Sequence, residues 1–403
     1  MAEEVVTRAQ VRPPPSERAT PAAWARKNLF SNWYNSLLTV VAFALMAVIL
    51  LPALRWIFGQ ARWAVILVNL RLFMTGTYPA DQLWRAWMML HLLAVIGGLT
   101  WGVWVRGRRA LGAIILLVPI VLALVVAGSP AARLHLLAIS GLGLAAYGLG
   151  RLGGRRLTRT VISGWILYFP LIVLIISGIT PRGSWFPVVP TNFWGGLMLT
   201  FLLTVVGILF SFPLGVLLAL GRRSNLPVIR WVSVAYIELI RGVPLITILF
   251  MASTMVPLFL PRGASIDRVL RAMVGITLFS AAYLAENVRG GLQAIPRGQY
   301  EAANALGLNG MLTMGLIIMP QALRLVIPVL VGQFISLFKD TTLVATIGLL
   351  DLLGIARSVL AQPQFINYQH EVLVFITGVY WVISYIMARL SQRLEAALGV
   401  GER

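Results

Sequence analysis

Runs of about 20 apolar residues recur along this 403-residue chain, and they restrict its fold more than any other feature. A helix of that length rises about 30 Å, the thickness of a bilayer's hydrocarbon core. The runs therefore read as membrane-spanning helices. Composition agrees, with 59% of residues hydrophobic and 11% charged, whereas about a quarter are charged in a soluble domain. The chain has no cysteine, which excludes disulfides, thiolate metal sites and thiol nucleophiles.

About ten spans are predicted, near 36–57, 86–105, 110–128, 132–150 and 160–179 in the first half, and 195–220, 230–260, 268–290, 316–338 and 370–396 in the second. Residues 1–34 read as a polar tail around Pro13-Pro14-Pro15. The first apolar run starts too late for a cleavable signal peptide. The net charge of +20 resides largely in short arginine-rich loops, at Arg106, Arg108 and Arg109, at Arg151, Arg155, Arg156 and Arg159, and at Arg222 and Arg223. These loops fall on one side if both termini are cytoplasmic, so the charge reads as topological rather than as a nucleic-acid surface. Arg55, Arg62, Arg71 and Arg85 are exceptions in an opposite-side loop, whose Trp63–Val68 segment is too short to span and reads as interfacial or re-entrant. The aromatics of the other outside stretch, Trp185, Phe186, Phe193 and Trp194, are expected at the bilayer interface or on a docking surface. The first five spans contain few polar groups, among them His91, Thr100, His135, Ser140 and Tyr168.

A polar interruption divides two of the later spans. Glu301-Ala302-Ala303 is followed after three residues by Gly307, and after nine more by Ile317-Ile318-Met319-Pro320. Pro296 and Gly298 end the preceding span. A helical turn starting near Gly298 would place Glu301 in its first turn, where a carboxylate suits the positive end of the helix dipole. Small residues admit another surface closely, and Gly307 permits a tight turn. The chain's two lysines, Lys27 before Asn28 and Lys339 before Asp340, cannot form a phosphate-binding P-loop. If ATP drives this protein, the nucleotide binds another polypeptide.

The hairpin spacing resembles the EAA loop of permease subunits in bacterial ABC importers, where leucine is commoner than Met319. Its flanks, Ala282-Tyr283-Leu284-Ala285-Glu286, Arg289 to Gln299, Pro320-Gln321-Ala322-Leu323-Arg324 and Lys339-Asp340-Thr341-Thr342-Leu343, look like the polar amino acid branch of that family, general L-amino acid type. The resemblance covers roughly residues 191–400. It implies an all-α, type I importer permease core of about five spans, with its coupling hairpin at 291–315, preceded by an extension of about five spans at 35–180. Glu301, Ala302, Ala303, Gly307 and Pro320 are then the residues that meet the ATPase. The implied partners are a second permease, identical or homologous, two ABC ATPase subunits, an extracytoplasmic amino acid-binding protein, the amino acid substrate and membrane lipid. The long extension favours a heterodimer. No cofactor is expected in this chain, because ATP and Mg would sit on the ATPases. The implied location is the bacterial inner membrane, multi-pass, with both termini cytoplasmic.

Charges at bilayer depth cost at least about 2.5 kcal/mol and so face a bundle interior or a wet cavity. Glu238 and Arg241 are three residues apart, as are Glu286 and Arg289, so each pair can form a structural or gating ion pair. Gln333, Ser336 and Asp340 share one helical stripe, extended by Thr341. The intervening Phe334, Ile335, Leu337 and Phe338 are expected to face lipid or neighbouring helices. The stripe can either touch an amino acid or seal a subunit interface, and Lys339 beside it can meet a carboxylate or snorkel. Three alternatives remain: a permease for another small polar solute, an ATP-independent carrier, and a membrane-embedded enzyme. The carrier calls for similar halves, which are not evident. The enzyme lacks an H-E-x-x-H pair or G-x-S-x-G elbow, and its three histidines, His91, His135 and His370, are widely separated.

Overall fold

The computed structural model describes residues 20–104, 118–124, 129–181 and 184–398. Every regular element among them is helical. The chain forms two units, residues 1–62 and 63–403. In the first, Thr20 caps α1 (Pro21–Asn28), and the Asn32 side chain accepts from the Asn35 amide at 2.8 Å to start α2 (Trp33–Arg55). No residue of α2 is buried.

The second unit begins with two short helices, α3 (Ala64–Val68) and α4 (Leu70–Thr75). The Trp63–Val68 segment, which reads from sequence as interfacial or re-entrant, buries Val65 and Ile66 in a cluster with Val372 and Ile376 of the last helix. The next three helices, α5 (Leu83–Trp104), α6 (Pro130–Gly153) and α7 (Thr158–Ser177), pack on one another. Along α5 and α6, Trp87 stacks on His135, while Gly98 meets Gly143 and Gly102 meets Gly150. Their pairing therefore runs parallel, and the link between them starts at one end of the pair and finishes at the other. Gly154, with φ of +50°, reverses the chain into α7. This helix runs antiparallel to α5, joined by Trp165 to Thr100 and by Tyr168 to the Met89 carbonyl.

The core comprises α8 (Gly196–Arg222), α9 (Pro227–Arg241), α10 (Leu245–Phe250), α11 (Arg268–Gln293), α12 (Arg297–Ala305), α13 (Met319–Asp340), α14 (Leu352–Leu360) and α15 (Gln369–Leu398). Small residues of α8 bring α11 close, with Gly207 against Ile276 and Gly215 against Leu284. The expected single span at 230–260 is bent by 104° between Pro227–Arg241 and Leu245–Phe259. The cause is Pro244, which has no amide for the helical ladder and forces the residue before it out of helical geometry.

Seven continuous helical segments among the described residues are long and apolar enough to cross a membrane, or eight with the bent pair. One segment, Pro130–Ser177, contains both α6 and α7. Together these segments account for nine of the ten expected spans. The tenth, 110–128, lies mostly outside the described residues, with 118–124 helical.

Within the second unit, the helices before residue 180 and the permease core share one interior. Tyr78, Tyr168, Ile172 and Ile176 pack in the same cluster as Met198, Leu199, Leu202 and Leu203. Arg85 is fully buried between them, donating to the Pro187 carbonyl at 2.9 Å with its guanidinium over the Phe186 ring. Of the expected interfacial aromatics, Trp194 is buried and bonds the Val189 carbonyl, whereas Trp185 is 83% exposed.

Asp351 lies between two spans at the end of the bundle where α8 begins. Its carboxylate caps α14, accepting from the Gly354 amide at 2.9 Å, and the Tyr380 hydroxyl donates to it at 3.5 Å. Burial pushes the Asp351 carboxyl up to about 7. The folded value exceeds the unfolded one of about 4. The associated stability is therefore complete below about pH 4 and lost as pH rises through about 7. Asp351→Asn keeps a capping oxygen. Thermal melts should show the wild type less stable at pH 8.5 than at pH 5, by up to about 3 kcal/mol, and the variant with a much smaller difference. Equal pH responses would remove Asp351 as the titrating group.

Candidate functional site: the 291–315 hairpin and its ion cluster

The hairpin begins where Pro296, with φ of −59° and ψ of 143°, caps α12. Proline fixes φ, so the helix starts at Arg297, one residue earlier than expected. Glu301 is then the fifth helical residue, and the first turn holds no acidic side chain. The dipole argument for Glu301 therefore does not apply. Its carboxylate is exposed, as are Ala302 and Pro320, while Ala303 is the one buried residue of α12.

The helix closes at Gly307, which adopts a left-handed φ of +73°. The Gly307 amide donates to the Asn304 carbonyl at 2.9 Å and the Leu308 amide to the Ala303 carbonyl at 3.1 Å. This pair of bonds is the Schellman arrangement, which occupies carbonyls the helix end leaves open. Asn309 then caps the next turn, accepting from the Leu312 amide at 2.9 Å. The result is a sharply folded tip carrying Leu306, 78% exposed, and Met311, 87% exposed.

Polar contacts tie this tip to two different transmembrane helices. The Gln321 amide of α13 donates to the Gln299 side chain at 3.1 Å. Arg223, just beyond α8, donates to the Tyr300 hydroxyl at 3.4 Å and to the Leu292 carbonyl at 3.3 Å. Positions 299 and 300 are about 100° apart around a helix, so the two contacts reach in different directions. Between tip and α13 the chain passes through a π-helical turn, Thr313–Ile318.

Behind the hairpin lies a cluster of charge. Glu286 accepts from Arg289, with Nε at 2.8 Å. It also faces Arg222 at 3.4 Å and Arg241 at 3.8 Å. Sequence spacing offered Glu238 and Arg241 as a pair, but Glu238 meets Arg222 at 2.8 Å instead. Arg241 is the last residue of α9 and lies over the Tyr283 ring, which leaves room for Arg222 between the two acids. The cluster thus fastens the hairpin-side ends of α8, α9 and α11. Arg222 and Arg223 were legible only as loop cations. Two acids at the ends of neighbouring spans were the available signal.

The expected polar stripe on α13 is divided. Gln333 turns inward, donating to the Ser280 carbonyl at 2.9 Å and accepting from Asn287 at 2.6 Å. Thr341 is buried, its hydroxyl on the Phe338 carbonyl. Ser336 remains exposed and Asp340 half-buried. Leu337 and Phe338 pack inside the protein rather than against lipid, with Phe338 between the rings of Phe201 and Tyr380.

The family described as binding-protein-dependent transport system inner membrane component matches residues 211–400. The inner membrane amino-acid ABC transporter permease protein YhdY of Escherichia coli (strain K12) is 39% identical over 409 residues, covering 97% of this chain and 96% of that protein. The chain belongs to the amino-acid ABC transporter permeases. The glutamate/glutamine/aspartate/asparagine transport system permease protein BztC of Rhodobacter capsulatus is 36% identical over 433 residues, at 96% coverage of both chains. A crystallised amino acid ABC transporter with histidines shares 30% identity, covering 50% of this chain and 92% of its own, with a TM-score of 0.46. YhdY and BztC match nearly the whole length of the chain, so the N-terminal spans belong to the permease as much as the matched core does. This permease is a multi-pass inner membrane protein with a type I ABC permease fold, and it forms half of an importer's translocation pathway.

Proposed function

We propose that this permease takes up amino acids by coupling to separate ATPase subunits through the hairpin at 291–315. The supporting observation is the Schellman-capped tip with exposed Leu306 and Met311, fixed to α8 and α13 by the Arg223 and Gln321 contacts. An apolar tip of this kind, left bare in the isolated chain, calls for a partner surface. ATP and Mg bind the ATPases, closure of which draws two hairpins together. The rocking this produces passes through the Glu286 cluster to α8, α9 and α11 and turns the cavity outward. A second permease completes the pathway, and an extracytoplasmic binding protein delivers the substrate. Both termini face the cytoplasm. Ser336 and Asp340 are the α13 residues left open to contact a substrate, while Gln333 and Thr341 hold the helix in place.

The test is ATP hydrolysis by the reconstituted complex with binding protein and a panel of L-amino acids. Stimulation by a subset of the panel is expected. Stimulation by another class of small polar solute, with none from any amino acid, would overturn the substrate assignment.

A further inference from the structure

Between Asp81 and Glu238 the sequence contains no aspartate or glutamate, yet arginines recur throughout that interval. At the turn joining α6 to α7, Arg155 and Arg159 border a cavity of about 620 Å³ that Val103, Trp104 and Thr158 also line. Among the described residues no carboxylate pairs with either guanidinium. Leu157, at the head of α7, supplies no side-chain cap, while the Thr158 amide donates to the Arg155 carbonyl of the preceding turn. The cavity lies where α5 ends and α7 begins, beside the arginine-rich turn of Arg155, Arg156 and Arg159, and such turns border the bilayer. Its chemistry is specific: two guanidinium groups and a hydroxyl suit phosphate oxygens, and the half-exposed Trp104 ring suits the adjoining glycerol and acyl region.

From this we infer that Arg155, Thr158, Arg159 and Trp104 form a binding site for the phosphate group of an anionic phospholipid. Basic pockets between transmembrane helices hold such headgroups, and here the lipid supplies a counter-charge that no described residue provides. The inference rests on the chain spanning a bilayer and not on which way it faces. It is also independent of coupling, since none of these residues belongs to the hairpin or to the Glu286 cluster.

Lipid retention is the direct test. The full-length permease, assembled with its ATPase, is stripped with detergent and re-exposed to phosphatidylglycerol or phosphatidylcholine, and bound lipid is counted by native mass spectrometry. Wild type should retain phosphatidylglycerol over phosphatidylcholine, and R155Q/R159Q should bind it about 30-fold more weakly. R155K/R159K should recover part of the loss, because lysine keeps the charge without the planar fork. If the double glutamine variant does not assemble, R155Q and R159Q singly should each lose about fivefold. Equal retention by wild type and R155Q/R159Q would overturn the site. Inorganic phosphate displacing the bound lipid at millimolar concentration, or stabilising the lipid-free protein as well as phosphatidylglycerol does, would replace the lipid assignment with that of a free anion. Loss of coupling in a hairpin variant leaves these lipid measurements unchanged, so either idea can fail alone.

Discussion

Glu301→Ala combined with Gly307→Asp should reduce substrate-stimulated ATP hydrolysis to near the basal rate while the permease still inserts and melts normally. Gly307 holds a φ of +73°, where a residue with a β-carbon is strained by about 1 kcal/mol. A Cβ there meets nothing within 4 Å, so the strain is local to the turn and does not spread into the bundle. Relaxing it breaks the bonds from the Gly307 and Leu308 amides to Asn304 and Ala303 and re-aims the tip. Loss of the exposed Glu301 carboxylate removes a charge from the same face. Displacement of about 1 Å in a mechanical contact can cost about a hundredfold in rate, and stimulation should fall by that order. Stability should change little, because Ala303 is the one residue of α12 that enters the buried core. The coupled ATPase assay and a thermal melt on the same preparation separate these effects. Unchanged stimulation with the turn demonstrably altered would remove the hairpin from the mechanism.

The largest effect on stability is expected at Gly102→Leu. A Cβ at Gly102 would lie 2.4 Å from the Tyr147 carbonyl oxygen and 2.8 Å from the Gly150 Cα. Both obstacles are backbone, so α5 and α6 must separate to admit any side chain. Close approach through small residues is what holds such helix pairs where lipid offers no hydrophobic drive. Overpacking costs about 1–3 kcal/mol or more in a core that cannot yield, and leucine against two backbones should reach or exceed the top of that range. Gly97→Leu is the matched control, since a Cβ there meets nothing within 4 Å. Thermal unfolding in detergent should show a large loss for Gly102→Leu and almost none for Gly97→Leu. Similar losses for both would mean the seam is not the site of close packing.

Much of this architecture was legible because membrane spans announce themselves by length and polarity. The positions of the spans near 195–220, 268–290 and 370–396 follow from apolar runs that no other fold tolerates. The hairpin was legible too, because Pro296, Gly307 and Pro320 punctuate it chemically. What the sequence hid depends on geometry across the chain. The seam of Gly98 and Gly102 against Gly143 and Gly150 carries a small-xxx-small spacing, but its partner helix and parallel direction do not follow from spacing alone. Spacing at three residues puts Glu238 with Arg241, yet the neighbouring helix α8 delivers Arg222 to Glu238. Gln333 looked available to a substrate because its helical stripe is polar. Only the position of α11 reveals that Ser280 and Asn287 already occupy its amide. Arg85 looked like an exposed loop cation until the Pro187 carbonyl and the Phe186 ring closed over it.

The central claim, that the hairpin tip meets an ATPase, can be tested by cross-linking. The chain has no cysteine, so a single Leu306→Cys on the 78%-exposed tip gives an unambiguous probe. With the assembled transporter, the account predicts a cross-link from this position to the ATPase subunit whose yield changes on ATP addition. Trp185→Cys, 83% exposed at the opposite end of the bundle, should give none. A transporter that remains active while Leu306→Cys never reaches the ATPase, or while Trp185→Cys does, would contradict it.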